Sequence, residues 1–247
     1  MHMWYRIMVV LGIVTALFLP FGSGHAAVID VQGPIAKDTV WTSADTIHLV
    51  SLVTVTATGH LTILPGSVIQ SDPATGFHVQ GQLTAIGGQD DRVLFTAAAD
   101  TAGGAPVAGR WNGIRLDEGS VTVMRNCDLR YSDQAIYLYA ASLELDSCVI
   151  ENFLVKGIHL DGGSYASPIT PTISDCIIRQ TDDDLRGTAR GIYAARRADV
   201  TVSHCQIVGC YNGLTFEAIG SVAPHYQVSD CEISSNARYG VLSTASG

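Results

Sequence analysis

Basic side chains are scarce in this sequence, where 14 Lys and Arg stand against 23 Asp and Glu in 247 residues. The few that occur do not gather into a Lys/Arg stripe. Because nucleic-acid phosphates are bound by clustered positive charge, this balance predicts no nucleic-acid partner. An acidic chain can still recruit a divalent cation where its carboxylates converge.

Long apolar runs are also absent, with one exception at the N-terminus. Residues 7–19 form an apolar run of thirteen, preceded by Arg6 and followed by the small-residue stretch Gly24-His25-Ala26. Such a run is too short to span a bilayer comfortably, so residues 1–26 are predicted to be a secretory signal peptide. We therefore expect a single domain over 27–247, secreted or held at the cell surface, with no membrane partner after signal cleavage.

After residue 26 the sequence lacks a sustained 3.6-residue period, and a repeat takes its place. The pattern C-x-(I/L) occurs at Cys127, Cys148, Cys176, Cys205 and Cys231, with spacings of 21, 28, 29 and 26 residues. A segment that alternates with period two follows each of them, at 135–138, 157–160, 191–194, 213–216 and 240–242. Short strands that recur without intervening helices predict an all-β solenoid of roughly eight coils, built from parallel strands.

The spacing of the six cysteines indicates the role of their thiols. Without CxxC pairs a zinc site is not expected. Five cysteines occupy one coil position and point inward, where side chains in register run parallel instead of converging as a disulfide requires. We predict buried, reduced thiols that act as small hydrophobic residues. Cys210 lies off this ladder, and the pattern assigns it no role.

Three connections between the repeated segments are longer than the others: 161–171, 180–190 and 217–226. The alternating segments that follow the cysteines are expected to form one sheet. The connection 180–190 precedes a strand of this sheet, and the connections 161–171 and 217–226 each follow one. A sheet with long loops on both sides forms a groove, and grooves on rigid scaffolds are where ligands bind.

Alternation predicts which side chains line this groove. In each strand of this sheet, the residue after the inward-facing Ile or Leu points outward into the groove. The residue two positions further on points the same way, and the residue at the start of the strand lies at the edge of the groove. The predicted substrate-binding residues are Tyr137, Tyr139, Lys156, Tyr193 and Asn212. Aromatic rings cover apolar sugar faces, while charged groups bind uronate carboxylates and hydroxyls. The predicted partner is therefore a polysaccharide.

The same surface offers candidate catalytic residues, namely Asp161, Arg190, Glu217 and His159. A lyase needs a cation that neutralises the uronate carboxylate and a base that takes the α-proton. Arg190 or Lys156 could act as the base or bind the substrate, and His159 or Tyr193 could also act as the base. A hydrolase needs two carboxylates, and Asp161 and Glu217 lie two coils apart, roughly 9 to 10 Å at the backbone. This spacing is near that of an inverting mechanism. Whether the protein is an enzyme at all stays open from these residues.

An acidic run in the longest connection is the candidate metal site. Asp182, Asp183 and Asp184 could hold calcium through oxygen ligands, together with Asp161. The alternative is that this run is a solvated loop and that the tyrosines are stacked β-formers. In that case the protein is a non-catalytic structural or adhesive β-helix at the cell surface.

The segments HLTILPGSVIQ, FHVQGQLTAIGGQDDRVLFTA and GRWNGIRLDEGSVTVMRNCDLRYS resemble the opening of secreted right-handed parallel β-helix proteins of the pectate-lyase-like superfamily. The resemblance covers nearly the whole chain after residue 26 and implies the fold. It does not imply one activity, because the superfamily includes lyases, polygalacturonases, epimerases and non-catalytic surface proteins. The GHG and R-I-K segments of polygalacturonases and the D-P-H-E signature of the epimerases are missing, so no family catalytic residue carries over.

The sequence stops directly after a strand of the fifth repeat, at GVLSTASG. Solenoid ends need a polar cap that covers the core and the unpaired strand edges. We therefore expect further coils or a capping partner beyond Gly247.

Overall fold

The computed structural model describes residues 7–8, 27–101, 110–163, 169–181, 187–219 and 223–244. Most of the predicted signal peptide and the Asp182–Asp184 run lie outside these ranges. Within them, no helix has the length and hydrophobicity needed to cross a bilayer.

The described chain is almost entirely β-structure, with one short helix. The helix is α1 (Ala98–Thr101), and the strands are β1 (Ile7–Met8), β2 (Val28–Ile35), β3 (Thr39–Trp41), β4 (Thr46–Val55), β5 (His60–Ile63), β6 (Val68–Ser71), β7 (Phe77–Val79), β8 (Gln82–Ile86), β9 (Val93–Ala97), β10 (Ile114–Leu116), β11 (Val121–Arg125), β12 (Cys127–Arg130), β13 (Gln134–Tyr139), β14 (Ser142–Asp146), β15 (Val149–Glu151), β16 (Lys156–Asp161), β17 (Thr172–Ser174), β18 (Ile177–Arg179), β19 (Arg190–Ala195), β20 (Asp199–Ser203), β21 (Gln206–Val208), β22 (Asn212–Glu217), β23 (His225–Ser229), β24 (Glu232–Ser234) and β25 (Tyr239–Thr244).

All strand pairings are parallel, and they form three ladders that run along one axis. The first ladder joins β1, β2, β4, β6, β9, β12, β15, β18, β21 and β24. The second joins the later halves of β2 and β4 to β7, β10, β13, β16, β19, β22 and β25. The third joins β3, β5, β8, β11, β14, β17, β20 and β23. Each coil contributes one strand to each ladder, so the chain makes eight complete coils before β24 and β25. The predicted all-β solenoid is confirmed.

Inward-facing residues of successive coils stack on one another and fill the interior. In the second ladder, Ile114, Ile136, Ile158 and Ile192 are in register and at most 1% exposed. The residues between them face outward, as period-two alternation requires. The interior of the earlier coils holds larger side chains, including Phe77 and Phe95 with ring centroids 6.0 Å apart.

The corners of the coils are made by single residues in the left-handed region. The residue before each ladder cysteine has a φ between 49° and 53°; these residues are Asn126, Ser147, Asp175, His204 and Asp230. Ala140 (φ 50°) and Arg196 (φ 59°) turn the chain from the second ladder into the third. Apart from glycine, Asn, Asp and His adopt this conformation more readily than other residues, which accounts for four of the five residues that precede the cysteines.

Ala140 offers a test of this corner. An alanine in the left-handed region carries a strain of about 1–2 kcal/mol, which glycine relieves at an entropic cost of about 0.4–1 kcal/mol. We expect Ala140→Gly to raise the free energy of unfolding by about 0.5–1 kcal/mol, measured by denaturant titration. Ala141→Gly is the matched control; Ala141 is 5% exposed and has no positive φ. That change should destabilise the protein, and stabilisation by both variants would contradict the explanation.

All six cysteines are free, as predicted for the five of the ladder, and these five form the expected stack, although Cys231 in the last coil is only partly buried. Cys127, Cys148, Cys176 and Cys205 are at most 1% exposed. Each thiol points to the carbonyl oxygen two residues before it, for example Cys176 Sγ to Ser174 O at 3.0 Å. Cys210 is also fully buried, and burial raises the pKa of its thiol to about 12. These thiols are structural residues of the core.

Ion pairs join neighbouring coils on the outer face of the first ladder. Arg92 Nε lies 2.6 Å from Asp128 Oδ1. Glu151 lies between two arginines, 3.1 Å from Arg130 Nε and 2.8 Å from Arg179 Nη2. The positive charges on this face are therefore balanced within the protein.

The connections beside the second ladder differ from the others. Three of them match the predicted long ones: 162–171 between β16 and β17, 180–189 between β18 and β19, and 218–224 between β22 and β23. A fourth, 98–113 between β9 and β10, was not predicted and contains α1. Directly after β16 and β22, at the position that Ala140 and Arg196 occupy in other coils, Gly162 and Ala218 are not in the left-handed region, whereas Gly163 (φ 66°) is. Long connections thus border the second ladder on both sides.

Candidate functional site

The outer face of the second ladder carries one continuous row of side chains. The strand register places these residues on successive coils, in the order Thr54, His78, Arg115, Tyr137, His159, Tyr193, Thr215 and Leu242. Adjacent members are about 4.8 Å apart at the backbone, the spacing of paired strands. Tyr137, His159 and Tyr193, which the sequence predicted for this surface, all lie in this row.

Three rings of the row touch one another. The ring centroids of Tyr137 and His159 are 4.7 Å apart, and those of His159 and Tyr193 are 4.9 Å apart. Tyr137 and His159 are half-buried, whereas Tyr193 is only 8% exposed. Tyr137 and His159 can therefore meet a ligand directly, while Tyr193 acts as a support beneath other groups.

Two cations lie against the Tyr193 ring. Lys156 Nζ is 4.6 Å and the Arg190 guanidinium carbon 5.5 Å from its centroid. Lys156 and Arg190 are register partners on adjacent strands, so their charges are close together. Burial lowers the pKa of Lys156, and the charge of Arg190 lowers it further. Both residues were predicted for this site, and the structure brings them together.

These two cations differ from the other basic residues near them in having no carboxylate partner. Among the described residues, no carboxylate forms an ion pair with Lys156 or Arg190. The neighbouring basic residues that do form such pairs are Arg92, Arg115, Arg125, Arg130, Arg179 and Arg196. The second ladder thus presents two adjacent positive charges that the described part of the protein leaves unneutralised.

His159 is held in its neutral form by this environment. Lys156 Nζ lies 3.3 Å and Gln134 Oε1 3.1 Å from His159 Nδ1. In the neutral ring Nδ1 makes one of these two hydrogen bonds: it accepts from the Lys156 ammonium in one tautomer and donates to Gln134 Oε1 in the other. Burial lowers the pKa of His159 to about 4, with further lowering by the positive charge of Lys156. Nδ1 of this ring is therefore occupied by the protein itself.

Asp161, predicted as a catalytic or calcium-binding carboxylate, is already saturated with hydrogen bonds. Arg196 Nη1 donates to Oδ1 and Oδ2 at 2.9 and 2.8 Å, and the Gly163 backbone N–H donates to Oδ1 at 2.8 Å. The residue is 8% exposed. In this arrangement Asp161 fixes the turn after β16 and Arg196 supplies its counter-charge.

Glu217 lies two coils from Asp161, as the spacing predicted, through the register Asp161, Ala195, Glu217. Its carboxylate accepts a hydrogen bond of 2.6 Å from the Tyr193 hydroxyl. Burial raises the pKa of Tyr193, and the bond to Glu217 raises it further. Both carboxylates of the predicted hydrolytic pair therefore have protein partners.

The remaining predicted residues lie in different surroundings. Tyr139 is in register with Asp161 and half-buried. Asn212 is 2% exposed, and its Oδ1 has no hydrogen-bond partner among the described residues. The same holds for Thr215 Oγ1, on the position of the same strand that is in register with Tyr193 and is 3% exposed. Asn212 lies too deep to meet a ligand at the surface unless its neighbours move.

No metal site is visible in the described ranges. There, no three His, Cys, Asp or Glu side chains converge to hold an ion. The predicted calcium ligands Asp182, Asp183 and Asp184 lie outside the described residues.

One constellation on the same row was not predicted from the sequence. His78 Nε2 forms a short contact with Asp117 Oδ2, and Arg115 Nε donates to Asp117 Oδ1 at 2.7 Å. His78 and Arg115 are register partners two coils and one coil before Tyr137. The alternation in FHV and IRL could have located them, but these earlier coils lack the cysteine that marked the later ones.

The comparisons with known proteins give the family and nothing more specific. A family model described as "Right handed beta helix region" matches residues 112–247. No curated protein matches the chain, and no solved structure matches it either. The family match agrees with the parallel ladders and gives the coil its hand: the chain belongs to the right-handed β-helix family.

Proposed function

We propose that the second ladder binds an acidic polysaccharide whose chain lies along the solenoid axis, across the row of outward-facing side chains. The observation that carries this proposal is the pair of cations Lys156 and Arg190 beside the rings of Tyr137 and His159, for which the described part of the chain supplies no ion-pair partner. A uronate carboxylate would neutralise the cations, while the rings would cover the apolar face of a neighbouring sugar.

The charge distribution over the coil supports this face over the first. On the first ladder, Asp128 and Glu151 already balance the arginines around them. Bringing an anion there would break existing ion pairs. On the second ladder an anion finds two partly buried cations to which the described residues offer no carboxylate, at a site where water screens electrostatic attraction less.

The proposal is one of binding. Asp161 and Glu217 are each engaged by a protein partner, so they do not supply the free acid and base that hydrolysis requires. A binding protein for polysaccharide would act outside the cell, and this part of the proposal rests on the signal peptide predicted for residues 1–26.

Removing either cation tests the proposal. A hydrogen bond to a charged group contributes about 1.5–3 kcal/mol, so Lys156→Gln and Arg190→Gln should each weaken binding of polygalacturonate about tenfold or more. Affinity electrophoresis or calorimetry with polygalacturonate and with neutral dextran would measure it. Affinity for the acidic polymer should also fall as salt is raised.

Arg125→Gln supplies the matched control. Arg125 carries the same charge but lies on the third ladder, where it pairs with Glu144. Its loss should leave the affinity unchanged. Equal weakening by all three variants would indicate nonspecific attraction to net charge, and no binding of any acidic polymer by the folded protein would overturn the proposal.

A further inference from the structure

The outward-facing row of the second ladder is open in its middle coils and covered in the two coils that follow. The side chain of Arg115 is 53% exposed, and Tyr137 and His159 are half-buried. Tyr193 and Thr215, the next two members of the row, are only 8% and 3% exposed although they point outward. A polysaccharide chain can therefore lie on the row as far as His159, but it cannot continue flat across the next two coils.

Part of this cover is a hydrogen bond that crosses from one coil to the next. The Tyr193 hydroxyl on β19 donates to Glu217 Oε2 on β22 at 2.6 Å. Glu217 lies two residues after Thr215 on the same strand, so the Tyr193 side chain leans across the outer face toward that coil. Burial raises the pKa of Tyr193, and the bond to Glu217 raises it further. The hydroxyl therefore keeps its proton, and the crossing bond persists, at neutral pH.

Lys156 and Arg190 lie at the boundary between the open and the covered coils. Lys156 begins β16, the strand of His159, and Arg190 begins β19, the strand of Tyr193. Lys156 Nζ lies 4.6 Å from the Tyr193 ring centroid, so its charge is held against the first covered side chain. An anion bound by this pair of cations therefore belongs to the last sugar that the row can accommodate.

The covered side of the boundary also holds polar atoms that the described residues leave unsatisfied. Arg190 Nε, Asn212 Oδ1 and Thr215 Oγ1 are buried and have no hydrogen-bond partner among those residues. Arg190 and Asn212 are register partners on β19 and β22. Buried polar atoms are costly when they stay unpaired, and an ordered water can carry a hydrogen bond from them to a ligand. A sugar that ends at the boundary brings its hydroxyl groups next to these atoms.

We infer that the row recognises the end of an acidic polysaccharide chain, with the carboxylate of the terminal uronate bound by Lys156 and Arg190. The inference rests on the proposed function, because it places the same ligand on the same row. From its terminal sugar the chain runs over His159 and Tyr137 toward Arg115, two coils or about 9.6 Å away at the backbone. The Arg115 guanidinium carbon lies 5.3 Å from the Tyr137 ring centroid, where it can bind a second carboxylate.

The number of protein molecules bound to each polymer chain tests this inference. Calorimetry at saturation would compare polygalacturonates of several narrow length ranges with short oligogalacturonates. A protein that recognises a chain end binds once per chain, whatever the length of the chain. A protein that binds anywhere along the chain is bound in numbers that rise in proportion to the length. We expect the long polymers and the oligomers to give the same stoichiometry per chain.

Modified chain ends test the contact with the terminal sugar directly. Borohydride reduction opens the ring at the reducing end, and a 4,5-unsaturated sugar flattens the ring at the other end. One of these two changes should weaken binding about tenfold or more, because it displaces a carboxylate from its charged hydrogen bonds. Affinity that is unchanged by both modifications would contradict recognition of a chain end.

Variants of the row test the direction of the bound chain. Lys156→Gln should weaken binding of digalacturonate and of longer oligomers alike, by about tenfold. Arg115→Gln should weaken binding only of oligomers long enough to cover two coils. Arg125→Gln, on the third ladder, is the matched control and should change neither affinity.

The outcomes separate this inference from the proposed function. A stoichiometry that rises with chain length, with an affinity that still depends on Lys156, would refute recognition of the chain end and leave the proposed binding in place. Failure of the folded protein to bind any acidic polymer would refute both.

Discussion

Replacing Gly113 by alanine is expected to destabilise the protein by at least about 4 kcal/mol, a loss that few single substitutions reach. A Cβ at this position would lie 1.7 Å from the carbonyl oxygen of Gln134 on the next coil. The φ of Gly113 is +88°, so the new side chain would also strain its own backbone. The contact can be relieved only if β10 and β13 move apart. That movement would also separate the register partners Arg115 and Tyr137.

Gly119 provides the matched control for this prediction. It has a similar φ of +77°, but nothing lies within 4 Å of the Cβ that an alanine would add. Gly119→Ala should therefore carry only the backbone strain, about 1–2 kcal/mol. Denaturant titration of both variants separates strain from steric contact. Equal losses at the two positions would show that close packing of the coils does not limit residue 113.

The second large effect is a pH dependence of stability that comes from His159. Its pKa is 6.5 when unperturbed and about 4 in the folded protein. The unfolded chain therefore takes up a proton at a higher pH than the folded protein does. This contribution to stability is complete above about pH 6.5 and is lost as the pH falls toward 4. After allowance for the solvent that still reaches the ring, we expect a loss of about 2 kcal/mol between neutral pH and pH about 4.5.

The contribution of His159 can be isolated by comparing variants at both pH values. Carboxylates also titrate in this interval, so the informative quantity is the difference between wild type and variant. His159→Gln should reduce the pH-dependent change in the free energy of unfolding by about 2 kcal/mol. His225→Gln should leave the wild-type change intact, because His225 is exposed. An unchanged pH dependence in His159→Gln would mean that the ring is charged in the folded protein.

The later coils could be predicted closely from the sequence because each one carries the same markers. The cysteine and the alternating segment after it give the positions of the first-ladder and second-ladder strands from β12 onward, and they place Tyr137, His159 and Tyr193 on one outer face. The pairing of Lys156 with Arg190 also follows from that register. These properties depend only on repeat spacing and on the two-residue period of a strand.

What the sequence could not give was the local partner of each charged group. Asp161 was expected to face a ligand, but it is held by Arg196, which lies at a corner of the coil in the left-handed region. Asn212 was expected at the surface and is buried. His78 and Asp117 are 39 residues apart in sequence, and only the register of β7 and β10 brings them together. Side-chain partners of this kind depend on corner geometry, which repeat spacing does not encode.

The three parallel ladders have a consequence for how the molecule comes apart. Each coil is bonded only to the coil before it and the coil after it, so the solenoid behaves as a one-dimensional chain of coupled units. Such a chain unzips from its ends, and a defect in one coil is felt mainly by its two neighbours. A polymer bound along the outer row would contact several coils that do not touch one another. Those coils would then unfold together.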